Sequence, residues 1–152
     1  MRQQVTLEID CPIEEVFTYT IDHVAEWSTI VVEDTMIEEK PGRVGSTFRN
    51  ITEDHGCRME FQGIVTRHEP PNVSACHLAG DSFDIDVEYV FEDLGGRTRL
   101  TQHSDVQPKG LLRVFFFLFG WMMHKSGCKA AENELLNLKR LLEEEPHKRG
   151  HH

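Results

Sequence analysis

The sequence predicts an α+β domain in which an antiparallel sheet packs against one long C-terminal helix. Three observations carry this prediction. Short segments of alternating apolar and polar residues recur up to about residue 105, separated by turn signals rich in Gly, Pro, Asn and Asp. Residues 111–145 then form one long helical segment that ends before Pro146. A sheet with one dry face needs a cover, and this helix is the element available to provide it.

The N-terminal region predicts one strand followed by two short helices. Residues 5–9 alternate between apolar and polar side chains, which is the period of a half-buried strand. Pro12, with acidic residues directly after Ile13, begins a helix, because proline loses nothing in a first turn and acids favour the positive end of the helix dipole. A second short helix is expected at residues 22–27, with Asp22 as its cap.

Six further strands are predicted between turn signals. They cover residues 31–39, 45–53, 57–68, 73–79, 82–92 and 97–105. In the segment 82–92, apolar and acidic residues alternate strictly, so one face of the sheet meets an apolar layer and the other meets water. The apolar members are Phe83, Ile85, Val87, Tyr89 and Phe91, and the acidic members are Asp84, Asp86 and Glu88.

The long helix changes character near its middle. Residues 111–123 are nearly all apolar, whereas Leu135, Leu138 and Leu142 recur at three- and four-residue spacing, which is typical of an amphipathic helix. A membrane span needs about 20 apolar residues. The apolar segment is shorter than that and contains Arg113, so we expect it to be buried and expect no integral membrane span.

Length and composition favour one globular domain over residues 1–146, followed by a disordered basic, His-rich tail at 147–152. Lys and Arg number 16 against 26 Asp and Glu, which gives a net charge of −10. That charge repels phosphate backbones and anionic lipid, so nucleic acid is not an expected partner. Four widely spaced cysteines, and an N-terminus with no apolar signal core, favour a cytoplasmic location.

Several short motifs occur in a characteristic order over about residues 4–143. They are Ile9–Phe17, Trp27, GRVGST at 42–47, EPP at 69–71, YVFE at 89–92, GGRTRLT at 95–101 and LKRLLE at 138–143. In these motifs the chain resembles the START-like or SRPBCC superfamily, specifically its polyketide cyclase/dehydrase-like branch. Cys11 departs from the alanine of the family pattern.

The resemblance implies a helix-grip fold: a seven-stranded antiparallel sheet curled around the long C-terminal helix, with two short helices after strand 1. Members enclose a pocket between sheet and helix and bind lipids, sterols, polyketides or hormones. Some are cyclases or dehydratases. The matching motifs are structural and leave the activity open.

The candidate ligand-binding residues are large apolar side chains with two polar residues to orient a ligand. The apolar candidates are Trp27, Phe48, Phe61, Phe83, Phe115, Phe119, Met122 and Met123, and the polar ones are His77 and Gln102. Met suits a pocket that adapts to ligand shape. A solid core is the alternative for the aromatic helix. His77 is also the candidate general acid or base, with a hydrogen-bonded strand histidine as the alternative.

Other chemistry is not indicated by the sequence. The histidines form no metal-binding motif, so we expect neither a metal nor another cofactor. Cys57 lacks an activating neighbour and is interpreted as a core residue. The sequence therefore predicts a protein that binds a small hydrophobic or amphipathic molecule (lipid, polyketide or aromatic-like) between sheet and helix. The alternatives are a polyketide cyclase or dehydratase that uses the same cavity, and a homodimerising interaction module.

Overall fold

The computed structural model describes residues 2–54, 56–110 and 129–144. Its strands are β1 (Arg2–Ile9), β2 (Val31–Glu38), β3 (Thr47–Asp54), β4 (Cys57–Glu69), β5 (Val73–Ala79), β6 (Phe83–Asp93) and β7 (Thr98–Pro108). Its helices are α1 (Ile13–Asp22), α2 (Val24–Trp27) and a C-terminal helix over residues 129–144, called α3 here. The predicted order of elements is confirmed, and with it the α+β helix-grip class.

The seven strands form one antiparallel sheet in the order β1-β7-β6-β5-β4-β3-β2. Strands that are consecutive from β2 to β7 are also neighbours in the sheet, because tight turns return the chain beside itself. β1 adds to β7, so β1 and β2 are the two edges. In β4 the register shifts between Val65 and Arg67, and this bulge changes which side chains of that strand face inward.

The apolar core lies where α1, α2 and α3 meet one end of the sheet. Leu135, Leu138 and Leu142 of α3 are fully buried, as their three- and four-residue spacing predicts. Burial of each such side chain stabilises the fold by roughly 1.5–3 kcal/mol. They pack into a cluster that includes Ile9, Val16, Phe17, Trp27, Phe91 and Leu100.

Polar contacts fix the position of α3 against the start of the sheet. Glu134 Oε1 accepts hydrogen bonds from the Ser28 hydroxyl at 2.7 Å and from the backbone N–H groups of the next two residues. Asn137 Nδ2 donates to the Trp27 carbonyl at 2.7 Å. The direction of α3 across the sheet is therefore specified by hydrogen bonds as well as by its leucines.

Part of the predicted long helix lies outside the described residues. This part contains the ligand candidates Phe115, Phe119, Met122 and Met123 and the aromatic surface behind the homodimer alternative. The tail at 147–152 lies outside them too. Within the described ranges, no helix is long and apolar enough to cross a membrane.

Candidate functional site

A cavity of about 640 Å³ lies against the concave face of the sheet. Side chains from β2 to β7 form its floor, and residues of α1, α2 and the start of α3 close one end. Small-molecule sites in proteins usually measure about 300–1,000 Å³. The space among the described residues is therefore large enough for a small ligand. The solid-core alternative for the aromatic helix concerns residues outside the described ranges.

An apolar row crosses the floor of the cavity from strand to strand. Its members are direct register partners: Met36, Phe48, Gly63, Leu78, Ile85 and Val106. Gly63 is required because the Phe48 ring lies over it, and a Cβ at position 63 would stand 2.2 Å from the ring carbon Cζ. Glycine therefore makes room for an aromatic side chain on the floor.

A polar row crosses the same face closer to α1. His68, Ser74, Tyr89 and Gln102 come from β4, β5, β6 and β7 and are register partners in that order. Aromatic rings flank this row. The Trp27 ring meets the Tyr89 ring edge-on at 6.5 Å between centroids, and the Phe17 ring lies 5.6 Å from the His68 ring.

Four buried polar atoms lack a hydrogen-bond partner within the described chain, and all four belong to residues that line this cavity. They are Thr20 Oγ1, Thr52 Oγ1, His68 Nδ1 and Gln102 Oε1. An unsatisfied buried polar group costs about 1–3 kcal/mol, so native proteins retain few of them. The lining of this cavity therefore concentrates polar atoms whose hydrogen bonds the described chain does not complete.

The protonation states around the cavity follow from burial and from one ion pair. Arg43 pairs with Asp22 at 2.7 Å. Desolvation and the charge of Arg43 lower the pKa of His68, and the charge of Asp22 opposes them. The His68 imidazole is therefore neutral at pH 7. Burial raises the pKa of the Cys76 thiol to about 12 and also raises the pKa of the Tyr89 hydroxyl, so both stay protonated.

Asp34 is the exception among the acids of the cavity. Desolvation raises the pKa of its carboxyl to about 6, and Arg43 opposes that rise. Asp34 is exposed by its accessible surface, so contact with water limits this shift. Asp34 is therefore a carboxylate near pH 7 that protonates under mildly acidic conditions.

Of the predicted site residues that the structure describes, four line the cavity and two do not. Trp27, Phe48, Phe61 and Gln102 line the cavity. Phe83 does not, although its ring packs on the Phe61 ring at 5.7 Å. The alternation predicted for β6 holds, because Ile85, Val87 and Tyr89 all line the cavity. Cys57, interpreted as a core residue, is exposed.

The expectation that His77 points into the pocket is wrong. Its Nδ1 lies 2.7 Å from Asp86 Oδ1, and its Nε2 lies 3.4 Å from Asp84, both on the outer face of the sheet. The hydrogen bond with Asp86 raises the pKa of His77. Apolar residues occupy both faces of β5, so alternation alone did not determine which face is inside.

Several cavity residues were missed by the sequence interpretation. His68 lines the cavity because the β4 bulge turns it inward, and no sequence motif predicts that bulge. Asn50 and Thr52 could have been found by extending the alternation from Phe48 along β3. Within the described residues, no group of three or more His, Cys, Asp or Glu is placed to hold a metal ion.

Comparisons with known proteins support the fold. No protein-family profile matches the chain. No curated protein sequence matches it either. Among solved structures, the aromatase/cyclase Zhui from Streptomyces sp. R1128 is 14% identical with a TM-score of 0.70, over 93% of this chain and 94% of that one. A polyketide cyclase-like protein from Corynebacterium glutamicum is 22% identical with a TM-score of 0.66, over 99% and 96% of the two chains.

A START superfamily protein from Mycobacterium smegmatis is 19% identical with a TM-score of 0.67, over 90% of this chain and 98% of that one. At these identities the similarity establishes the fold. The chain has the helix-grip fold of these structures, which is the fold that the resemblance in its short motifs implies.

Proposed function

We propose that this protein binds a small amphipathic molecule in the cavity between the sheet and its C-terminal helix. The observation that carries the proposal is the convergence of unpartnered polar atoms in a space with a largely apolar floor. The apolar row of Phe48, Leu78 and Ile85 would contact the hydrophobic part of the ligand. The polar row of His68, Tyr89 and Gln102 would hydrogen-bond to polar groups of the ligand.

Burial of apolar ligand surface supplies the affinity. Each 100 Å² removed from water contributes about 2.5 kcal/mol before the costs of binding are subtracted. The unpartnered atoms add specificity, since a ligand that completes their hydrogen bonds removes a desolvation penalty that the empty protein retains. A purely apolar ligand would leave that penalty in place.

Filling the cavity tests this proposal. Val87 lines the cavity from the middle of β6, whereas Val90 of the same strand points to the outer face. We expect Val87→Trp to weaken binding of the neutral fluorescent probe N-phenyl-1-naphthylamine at least tenfold, and Val90→Trp to leave it unchanged. Thermal unfolding verifies that both variants are folded, and Val87→Phe provides a milder replacement. Equal binding by both tryptophan variants would show that the probe binds elsewhere.

A cyclase-type enzyme is the second candidate, and His68 is the observation that favours it. Its imidazole is neutral, lines the cavity and has an unpartnered Nδ1, which are the properties of a general base or acid. One of the similar structures is an aromatase/cyclase. His68→Gln distinguishes the two functions: an enzyme loses turnover of a polyketide-like substrate, whereas a binding protein shows no turnover in either form.

A further inference from the structure

The described lining of the cavity contains more acidic than basic side chains. The described lining residues include four carboxylates and one guanidinium. Two of the acids are already used, because Asp22 pairs with Arg43 at 2.7 Å and Glu134 accepts hydrogen bonds from the connection between α2 and β2. Asp54 stands at the end of β3, next to the turn. This leaves Asp34 as the acid that faces the cavity from the middle of a strand.

Asp34 makes no ion pair and no side-chain hydrogen bond with the described part of the chain. It is the register partner of Asn50, and Thr52 lies two residues further along the same face of β3. Thr52 is 6% exposed, and its hydroxyl has no hydrogen-bond partner in the described ranges. A carboxylate and a hydroxyl acceptor therefore share the inner face of the β2–β3 pair, with Thr52 opposite Val31 and diagonal to Asp34.

Among the described lining residues, Arg43 is the cation that acts on Asp34, and Asp34 shares it with Asp22. The titratable and charged groups that share the cavity with it are Asp22 of α1, Arg43 of the β2–β3 connection, Asp54 of β3, His68 of β4, Cys76 of β5, Tyr89 of β6 and Glu134 of α3. Arg43 is engaged with Asp22. His68, Cys76 and Tyr89 are neutral at pH 7. A carboxylate in such surroundings is stabilised when a cation approaches it.

Resting on the proposed ligand-binding function, we propose that the cavity selects amphiphiles whose polar end is a protonated amine, with Asp34 as the counter-ion and Thr52 as a second acceptor. An ammonium group has three donors and no acceptor, which suits a carboxylate beside a hydroxyl. The same charge excess disfavours amphiphiles that end in a carboxylate. The selected class is therefore an amine-bearing hydrophobic molecule, and fatty-acid anions are excluded.

Three probes that differ only in their polar end test the inference. They are 4-(1-naphthyl)butylamine, 4-(1-naphthyl)butanol and 4-(1-naphthyl)butanoate, titrated into the purified protein at pH 7.5 by isothermal calorimetry. We expect the amine to bind at least tenfold more tightly than the alcohol, and the carboxylate to bind most weakly. Asp34→Asn is expected to remove the advantage of the amine and to leave the alcohol unchanged. Glu33→Gln is the control, since Glu33 pairs with Arg49 on the outer face of the same strand.

The pH dependence provides a second readout. The carboxyl of Asp34 is ionised above its pKa of about 6, so the preference for the amine is full at pH 8 and falls as the pH drops below 6. Asp34→Asn should remove this dependence. If the alcohol and the amine bind equally, or if Asp34→Asn weakens all three probes alike, the inference is wrong while the proposed function stands. If none of the three probes binds, the proposed function is wrong as well.

Discussion

Thr52→Val is expected to stabilise the unliganded protein, although it removes a polar group from the candidate site. Thr52 is 6% exposed and its hydroxyl has no partner in the described residues, so the folded state pays a desolvation penalty of about 1–3 kcal/mol that the unfolded state does not. Valine has nearly the same shape and suits a strand. We expect a gain of about 1 kcal/mol, which corresponds to a rise in Tm of about 2–4 °C in a protein of this size.

Thr98→Val is the matched control, with the opposite expected sign. Thr98 is fully buried in β7, and its hydroxyl donates to the Cys11 carbonyl at 2.8 Å. Loss of that hydrogen bond should destabilise the protein by about 1–2 kcal/mol. Urea denaturation of the wild type and both variants, without added ligand, measures the two effects. A destabilised Thr52→Val variant would contradict this prediction, because it would mean that the Thr52 hydroxyl already has a hydrogen-bond partner in the empty protein.

Two further predictions concern the floor and the outer face of the sheet. Gly63→Ala should destabilise the protein by about 1–3 kcal/mol, because the new Cβ would stand 2.2 Å from the Phe48 ring. In urea denaturation, the double variant with Phe48→Leu should recover most of the lost stability. A double variant as unstable as Gly63→Ala would contradict this packing of Phe48 on Gly63. The hydrogen bond with Asp86 raises the pKa of His77 in the folded protein above the ordinary value of 6.5. The interaction therefore stabilises the fold fully below pH 6.5. This stabilisation is lost as the pH rises through the higher pKa of the folded state. The stability lost in His77→Gln should therefore be larger at pH 5.5 than at pH 8.5, and probe binding should not change; an equal loss at both pH values would contradict the ion pair.

The fold could be predicted from the sequence because its signals are local and redundant. The strict alternation of apolar and acidic residues in β6 identified the inner face of that strand. Leu135, Leu138 and Leu142 identified the packing face of α3. Gly and Pro turn signals separated the strands, so the number of strands followed from counting the segments between those signals.

The polar part of the site could not be predicted in the same way. His68 points inward because of a bulge after Val65, and a single inserted residue reverses every later side chain of a strand. His77 was assigned to the wrong face because β5 carries apolar residues on both faces. The curl of the sheet brings Asp34 of an edge strand into the same cavity as Tyr89 of a central strand, and sequence periodicity carries no information about that curvature.

Locating a bound probe by NMR tests directly whether the cavity is the binding site. With methyl-labelled protein and N-phenyl-1-naphthylamine, intermolecular NOEs report which side chains touch the probe. We expect NOEs to the methyl groups of Leu78, Ile85 and Val87, which line the cavity, and none to Ile37 or Ile64, which are exposed. NOEs confined to Ile37 and Ile64, with none to the three cavity residues, would contradict this expectation.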